Sequence, residues 1–129
     1  MISVDTNVVV RLLTGDDPKQ FQKARELFET EEIIITTTVI LECEWVLRYA
    51  YQFKPLDIAE AFESLFGLSN VTLQEQAVIF NAIDWHKQGL DFADAIYLAK
   101  SKDCEFLATF DQKFIAMAER ISGVPVKEP

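Results

Sequence analysis

The stretch that most limits the fold is Ile33-Ile34-Ile35-Thr36, a short β-branched run between two long helical patterns. A strand that is apolar on both faces must be covered on both, which is the habit of parallel sheets flanked by helices. The same rhythm recurs along the chain. ISVDT at the start reads as a strand, and NVVVRLLT after it as helical. Asp17-Pro18 predicts a helix start, with Asp as N-cap and Pro at the first helical position. That helix carries Phe21, Ala24, Leu27 and Phe28 at helical spacing. After the isoleucines, TTVILECEWVLRYAY predicts a helix with Val39, Ile40, Cys43, Val46, Leu47 and Ala50 on one stripe. Pro55 opens another that stops at Gly67. NVTLQ is a third strand, EQAVIFNAIDWHKQG a helix ending at Gly89, and DFADAIYLAKSKD the next helix. EFLATF is a fourth strand, DQKFIAMAERISG a last helix and VPVK a fifth, edge strand.

Alternation of this kind predicts a three-layer α/β/α sandwich around a mostly parallel sheet of four to five strands. The 129 residues are expected to form a single domain, 1–129, without repeat or linker. Hydrophobic residues make up 50%, ample for a core. No apolar run approaches the ~20 residues that span a bilayer. No basic segment leads into a long apolar one at the N-terminus, so no signal peptide is expected and the cytoplasm is the default compartment. Cys43 and Cys104, both in apolar surroundings, are read as free thiols there.

The formal charge is −9. Nucleic-acid binders normally carry excess Lys and Arg, so this balance argues against one unless part of the negative charge is a cage for cations. In open parallel sheets ligands sit beyond the carboxyl ends of strands. Acids stand at just these places. Asp5 follows strand one, and Asp111 follows strand four. Glu42 lies early in the helix after strand two, and Asp94 in the first turn of the helix before strand four. Like charges about 4 Å apart cost roughly 4 kcal/mol per pair at an effective dielectric near 20. Such acids either take up protons or hold a cation, and Mg²⁺ and Mn²⁺ prefer oxygen ligands.

Each acid also has a plainer reading. Asp5 and Asp111 can simply cap the helices that follow them. In D-x-x-D, Asp91 is the N-cap and Asp94 the third helical residue, where it favours the helix dipole. Glu42 and Glu44 flank the Cys43 stripe on opposite sides, so periodicity does not choose between them; Glu42 is nearer the strand end. His86 is the one histidine and is expected at the surface. A zinc site of two Cys and two His is ruled out, and neither a G-x-S-x-G elbow nor a Gly-rich phosphate loop is present.

The segments V-D-T-N, VILECEWVL, G-L-D-F-A-D-A-I-Y-L-A and A-T-F-D-Q-K-F follow one another in that order. Together they resemble the PIN-domain ribonucleases, and specifically VapC-type toxins of toxin–antitoxin pairs. The resemblance covers nearly the whole chain. It implies that Asp5, Glu42, Asp94 and Asp111 are the catalytic, metal-binding acids, which would settle the choice against Glu44. Asn7, Asp91 and Thr109 match polar positions near the metal. The implied activity is Mg²⁺- or Mn²⁺-dependent hydrolysis of RNA phosphodiester bonds. The implied partners are an antitoxin protein that covers the acidic site and a second copy of the chain.

Arg11 and Lys113 are candidates to hold the RNA strand, although both also fit ordinary surface charge. Trp45, Tyr49 and Phe53, spaced i, i+4, i+8 off the Cys43 stripe, fit either an interface along one helix or packing inside the monomer. Three other functions remain in view. A phosphoryl-transfer domain would need D-x-D, and here Asn7 takes the second place. A receiver-like Mg²⁺ module would need paired acids after strand one and a Lys after a late strand, neither of which is found. A PIN-like fold used only as a binding scaffold is the third.

Overall fold

The computed structural model describes residues 1–129. It has an α/β fold of seven helices and five short strands, every strand pair parallel. The backbone divides into two compact units, Met1–Gln76 and Ala77–Pro129.

In the first unit the chain runs β1 (Ile2–Ser3), α1 (Thr6–Thr14), α2 (Pro18–Thr30), β2 (Ile33–Ile35), α3 (Thr37–Tyr49), α4 (Pro55–Phe66) and β3 (Val71–Leu73). The strands pair in the order β1-β2-β3, with Ile2 opposite Ile33 and Ile33 opposite Val71. The isoleucine run is thus the central strand, and Ile33 and Ile35 are fully buried. Two helices intervene between successive strands, which gives each parallel crossover its length. Helix boundaries follow local chemistry. Asp17 caps α2 by accepting from the Gln20 amide, with Pro18 in the first turn. Gly15 ends α1 in the left-handed region, at φ 65°. Asn70 clamps the entry to β3 by donating to the carbonyls of Phe28 and Glu31, both at 2.7 Å.

The second unit contains nearly all of α5 (Gln76–Lys87), then α6 (Phe92–Ala99), β4 (Leu107–Ala108), α7 (Gln112–Ile121) and β5 (Val126–Lys127). Its strands form one pair, Leu107 opposite Val126. Helix α7 packs on β5. Ile79, Ile83, Phe92, Ile96, Leu98 and Phe114 supply its buried apolar surface.

Several expectations are corrected. Helix α3 stops at Tyr49, and Gln52 beyond it has φ 57°, so Phe53 lies off the helix and Ala50 is exposed. Helix α6 ends at Ala99 instead of running on through Asp103. His86 is buried, at 6% exposure: its Nδ1 lies 2.8 Å from the Leu90 carbonyl and its ring meets Phe92 edge-on. The polar end of α5 is therefore covered at this residue. Both thiols are free, but Cys104 is exposed, outside the apolar surroundings its neighbours suggested. No helix is long and apolar enough to cross a membrane.

Candidate metal centre

The first unit brings Asp5 and Glu42 into one neighbourhood through Thr6. Ser3 ends β1, Val4 is buried, and Asp5 then turns extended (φ −94°, ψ 178°) to cap α1. Its Oδ1 accepts from the Val8 amide at 3.2 Å. Capping occupies one carboxylate oxygen and leaves Oδ2 for other work. Thr6 is buried, and its hydroxyl donates to Glu42 Oε1, reaching from the first turn of α1 to the second turn of α3. Cys43 sits below, its Sγ 3.9 Å from the Thr6 carbonyl. Burial pushes the Cys43 thiol up to about 12, and the charges of Glu42 and Asp5 push the same way. Both carboxylates therefore act on one point, a local negative field that suits a cation.

Glu42 and Glu44 are separated by burial. Glu42 is exposed beside Thr6, whereas Glu44 is only 1% exposed. Glu44 spends both oxygens on Arg48, one helical turn on, at 2.8 and 3.2 Å. A carboxylate buried and paired in this way is structural. Thr6 is the residue that sequence reasoning passed over. Its signal was weak: a hydroxyl next to a strand-end acid, with no spacing to mark its partner 36 positions away.

The second unit gathers Asp91, Asp94 and Asp111 into a common field. Asp91 caps α6, its Oδ2 accepting from the Asp94 amide at 3.2 Å, as the D-x-x-D spacing predicts. Asp111 follows β4 and caps α7, accepting from the Phe114 amide at 3.1 Å. Its own amide donates to Thr109 Oγ1, so Thr109 braces the acid from the strand side. Asp94 is half-buried, and its carboxyl is raised above the usual range, first by desolvation and then by the charges of Asp91 and Asp111. An acid held in an anionic, partly dry place is relieved by a proton or a metal ion.

Neither unit gathers three or more His, Cys, Asp or Glu side chains into a ready cage. In each unit taken by itself the side chains have the chemistry a hard divalent ion prefers: Asp5 in the first and Asp111 in the second are carboxylates that use one oxygen for capping, and in the first a hydroxyl steadies Glu42. Beside Asp5 a groove of about 510 Å³ opens between α1 and α2, with Asn7 and Arg11 on its walls. Lys113 is exposed at the start of α7.

Residues 2–120 match the PIN domain family, and the chain belongs to it. PIN domains are typically nucleases that use Mg²⁺ or Mn²⁺ and act on RNA. No curated protein matches the sequence.

Proposed function

We propose that the chain is a Mg²⁺- or Mn²⁺-dependent endoribonuclease and the toxin of a toxin–antitoxin pair, working in the cytoplasm as a single PIN domain over residues 1–129. The observation that carries this reading is the PIN match across 2–120, which takes in Asp5, Glu42, Asp94 and Asp111 together. These four acids would hold the cation. A cation held by these residues would supply Lewis-acid chemistry, activating water and neutralising charge on the phosphate. Asp5 stays fixed because it caps α1, and Asp111 because it caps α7. Thr6 keeps Glu42 aimed, and Thr109 keeps Asp111 aimed. Asn7 and Asp91 are the further polar neighbours of the cation site in this reading.

A toxin needs a partner that restrains it, and α3 offers a face for one. Trp45 and Tyr49 are 56% and 59% exposed and touch, ring centroids 4.9 Å apart, with Arg48 over the Tyr49 ring. Exposed aromatic and Arg side chains of this kind suit a protein interface, either with an antitoxin or with a second copy in a homodimer.

The test is cleavage of single-stranded and looped RNA by purified protein with Mg²⁺, with Mn²⁺ and with EDTA, run beside Asp5→Asn and Asp94→Asn. Cleavage by wild type with metal alone, and by neither variant, is expected. In a bacterial host, expression of wild type arrests growth and Asp5→Asn does not. Equal toxicity of the two would defeat the catalytic assignment. One observation favours a non-catalytic PIN scaffold instead, namely that no three His, Cys, Asp or Glu side chains stand close enough together to hold a metal ion as they are. RNA binding that persists in EDTA, with no cleavage under any metal, would select that reading.

A further inference from the structure

The groove beside Asp5 has two unlike walls and a floor. Asp5 and Arg11 stand on the α1 side, and Gln20 and Lys23 on the α2 side. Val8 and Leu27 contribute apolar surface. The spacing explains why these residues share one cleft. Val8 and Arg11 are i, i+3 on α1, while Gln20, Lys23 and Leu27 are i, i+3, i+7 on α2, so each set lies on one helix face. A volume of about 510 Å³ falls within the ~300–1,000 Å³ usual for small-ligand sites.

Arg11 is held in place before anything binds. Its Nε donates to Gln20 Oε1 at 2.7 Å, and its Nη1 reaches Tyr51 Oη at 2.9 Å and Asp16 at 3.3 Å. The Tyr51 hydroxyl donates to Asp16 at 2.5 Å and, ahead of Arg11, holds that carboxyl below its ordinary range. Nη2 takes no part in this clamp, so two N–H donors stay available on a fixed guanidinium. Lys23 is exposed and forms no ion pair. The chain has 12 Lys and Arg against 21 Asp and Glu, so a cleft lined by two cations and one carboxylate, with Asp16 paired to Arg11 behind it, is less acidic than the surface as a whole, and Lys23 is its unpaired cation.

We propose that this groove is a substrate subsite: it receives the RNA strand beside the bond that is cut, with Lys23 and Arg11 holding a flanking phosphate and Val8 and Leu27 receiving the ribose or an unstacked base. The inference rests on the nuclease reading above and adds to it the direction in which the strand leaves the acids. Charge favours nucleic acid over a protein helix, because a phosphate needs both cations whereas an apolar helix face needs neither. Arg suits a phosphate by its planar fork and Lys by its mobile point charge. The apolar floor suits a single strand, whose bases are free to turn inward.

The test uses the full chain and a fluorescein-labelled single-stranded RNA. Binding is measured on the Asp5→Asn background by anisotropy across a salt series, and cleavage kinetics on the otherwise wild-type chain. Lys23→Glu is expected to weaken binding about tenfold, and to lower the salt slope by about 0.7 for each phosphate that is no longer neutralised. In cleavage, KM rises by a similar factor with a smaller change in kcat, and Lys23→Arg restores it. Arg25→Glu makes the same charge change on α2 two residues on, where the exposed side chain leaves a different side of the helix and does not line the groove, and is expected to shift KM by less than about twofold.

If wild type cleaves RNA while Lys23→Glu and Lys23→Ala match it in affinity, KM and salt slope, the subsite is overturned and the nuclease reading stands. If Arg25→Glu weakens binding as much as Lys23→Glu, net charge explains the effect and the subsite is again overturned. If Lys23→Glu loosens a co-purified protein partner and leaves RNA affinity unchanged, the groove belongs to that protein and the proposal fails. If wild type cleaves no RNA with either metal, the nuclease reading falls and the subsite falls with it.

Discussion

In the first unit β2 is hydrogen-bonded on both sides, to β1 and to β3, and two of its three residues are fully buried. In the second unit β4 has only β5 as partner, and none of the four residues in that pair is buried. The acids differ in the same sense. Asp5 and Glu42 are arranged by polar partners, the Val8 amide and the Thr6 hydroxyl. Asp94 instead lies within reach of two like charges and is partly desolvated. One unit anchors its acids on a stiff strand framework, and the other seats them at helix starts beside a minimal strand pair. Two strands alone are marginal in water, so the second unit depends on α7 packing against β5.

The largest expected effect tests whether the two strand systems differ in weight. Ile35→Ala in β2 should destabilise the protein by about 2–5 kcal/mol in urea denaturation, the range for truncating a buried aliphatic. Leu107→Ala in β4, half-buried, should cost about 1 kcal/mol. Equal losses would erase the contrast between the sheets.

A smaller effect concerns the turns that deliver β3 and β5. Asn70→Ala removes two hydrogen bonds to carbonyls at the end of α2, with an expected loss of ~1–3 kcal/mol. The matching turn in the second unit is held by Ser122, whose hydroxyl donates to the Ala118 carbonyl and accepts from the Val124 amide. Ser122→Ala should cost about 1 kcal/mol or less, because the site is half-exposed and water can replace the hydroxyl. Thermal melts of both variants rank the two turns, and the reverse order would show that the second unit has the firmer one.

The smallest effect separates the acids. Asp94→Asn removes a charge that the fold raises above its ordinary range, so the metal-free melting temperature should rise by a few degrees, about 1 kcal/mol or less. The sign follows from linkage. A carboxyl whose folded value is raised binds more protons folded than unfolded, so its ionisation lowers stability as pH rises past the unfolded value. Asp5→Asn should leave the melting temperature almost unchanged, because Asn is as good an N-cap as Asp. A fall in melting temperature for Asp94→Asn would mean that its favourable place in the first turn of α6 outweighs the crowding.

The strand ends and helix starts were legible because they are local. Asp5, Asp17, Asp91 and Asp111 each stand directly before a helix, and each accepts from an amide three residues on, as a cap must. Strand lengths are overestimated by composition. EFLATF shrinks to Leu107–Ala108, because apolar residues extend past those that find a ladder partner. The stripe of α3 holds at Ile40, Cys43 and Leu47, which are all buried, and fails at Ala50, which lies past the last turn. Lys23 could not be singled out from the other lysines, since what distinguishes it is a neighbour helix.

By itself the sequence determined the order of elements, the capping acids and the parallel α/β class. All three follow from short-range backbone chemistry and hydrophobic period. Only tertiary structure decided that Glu44 is buried on Arg48 while Glu42 meets Thr6, that His86 is enclosed, and that Trp45 and Tyr49 face outward. Periodicity states which residues share a face, and packing alone states what that face is laid against.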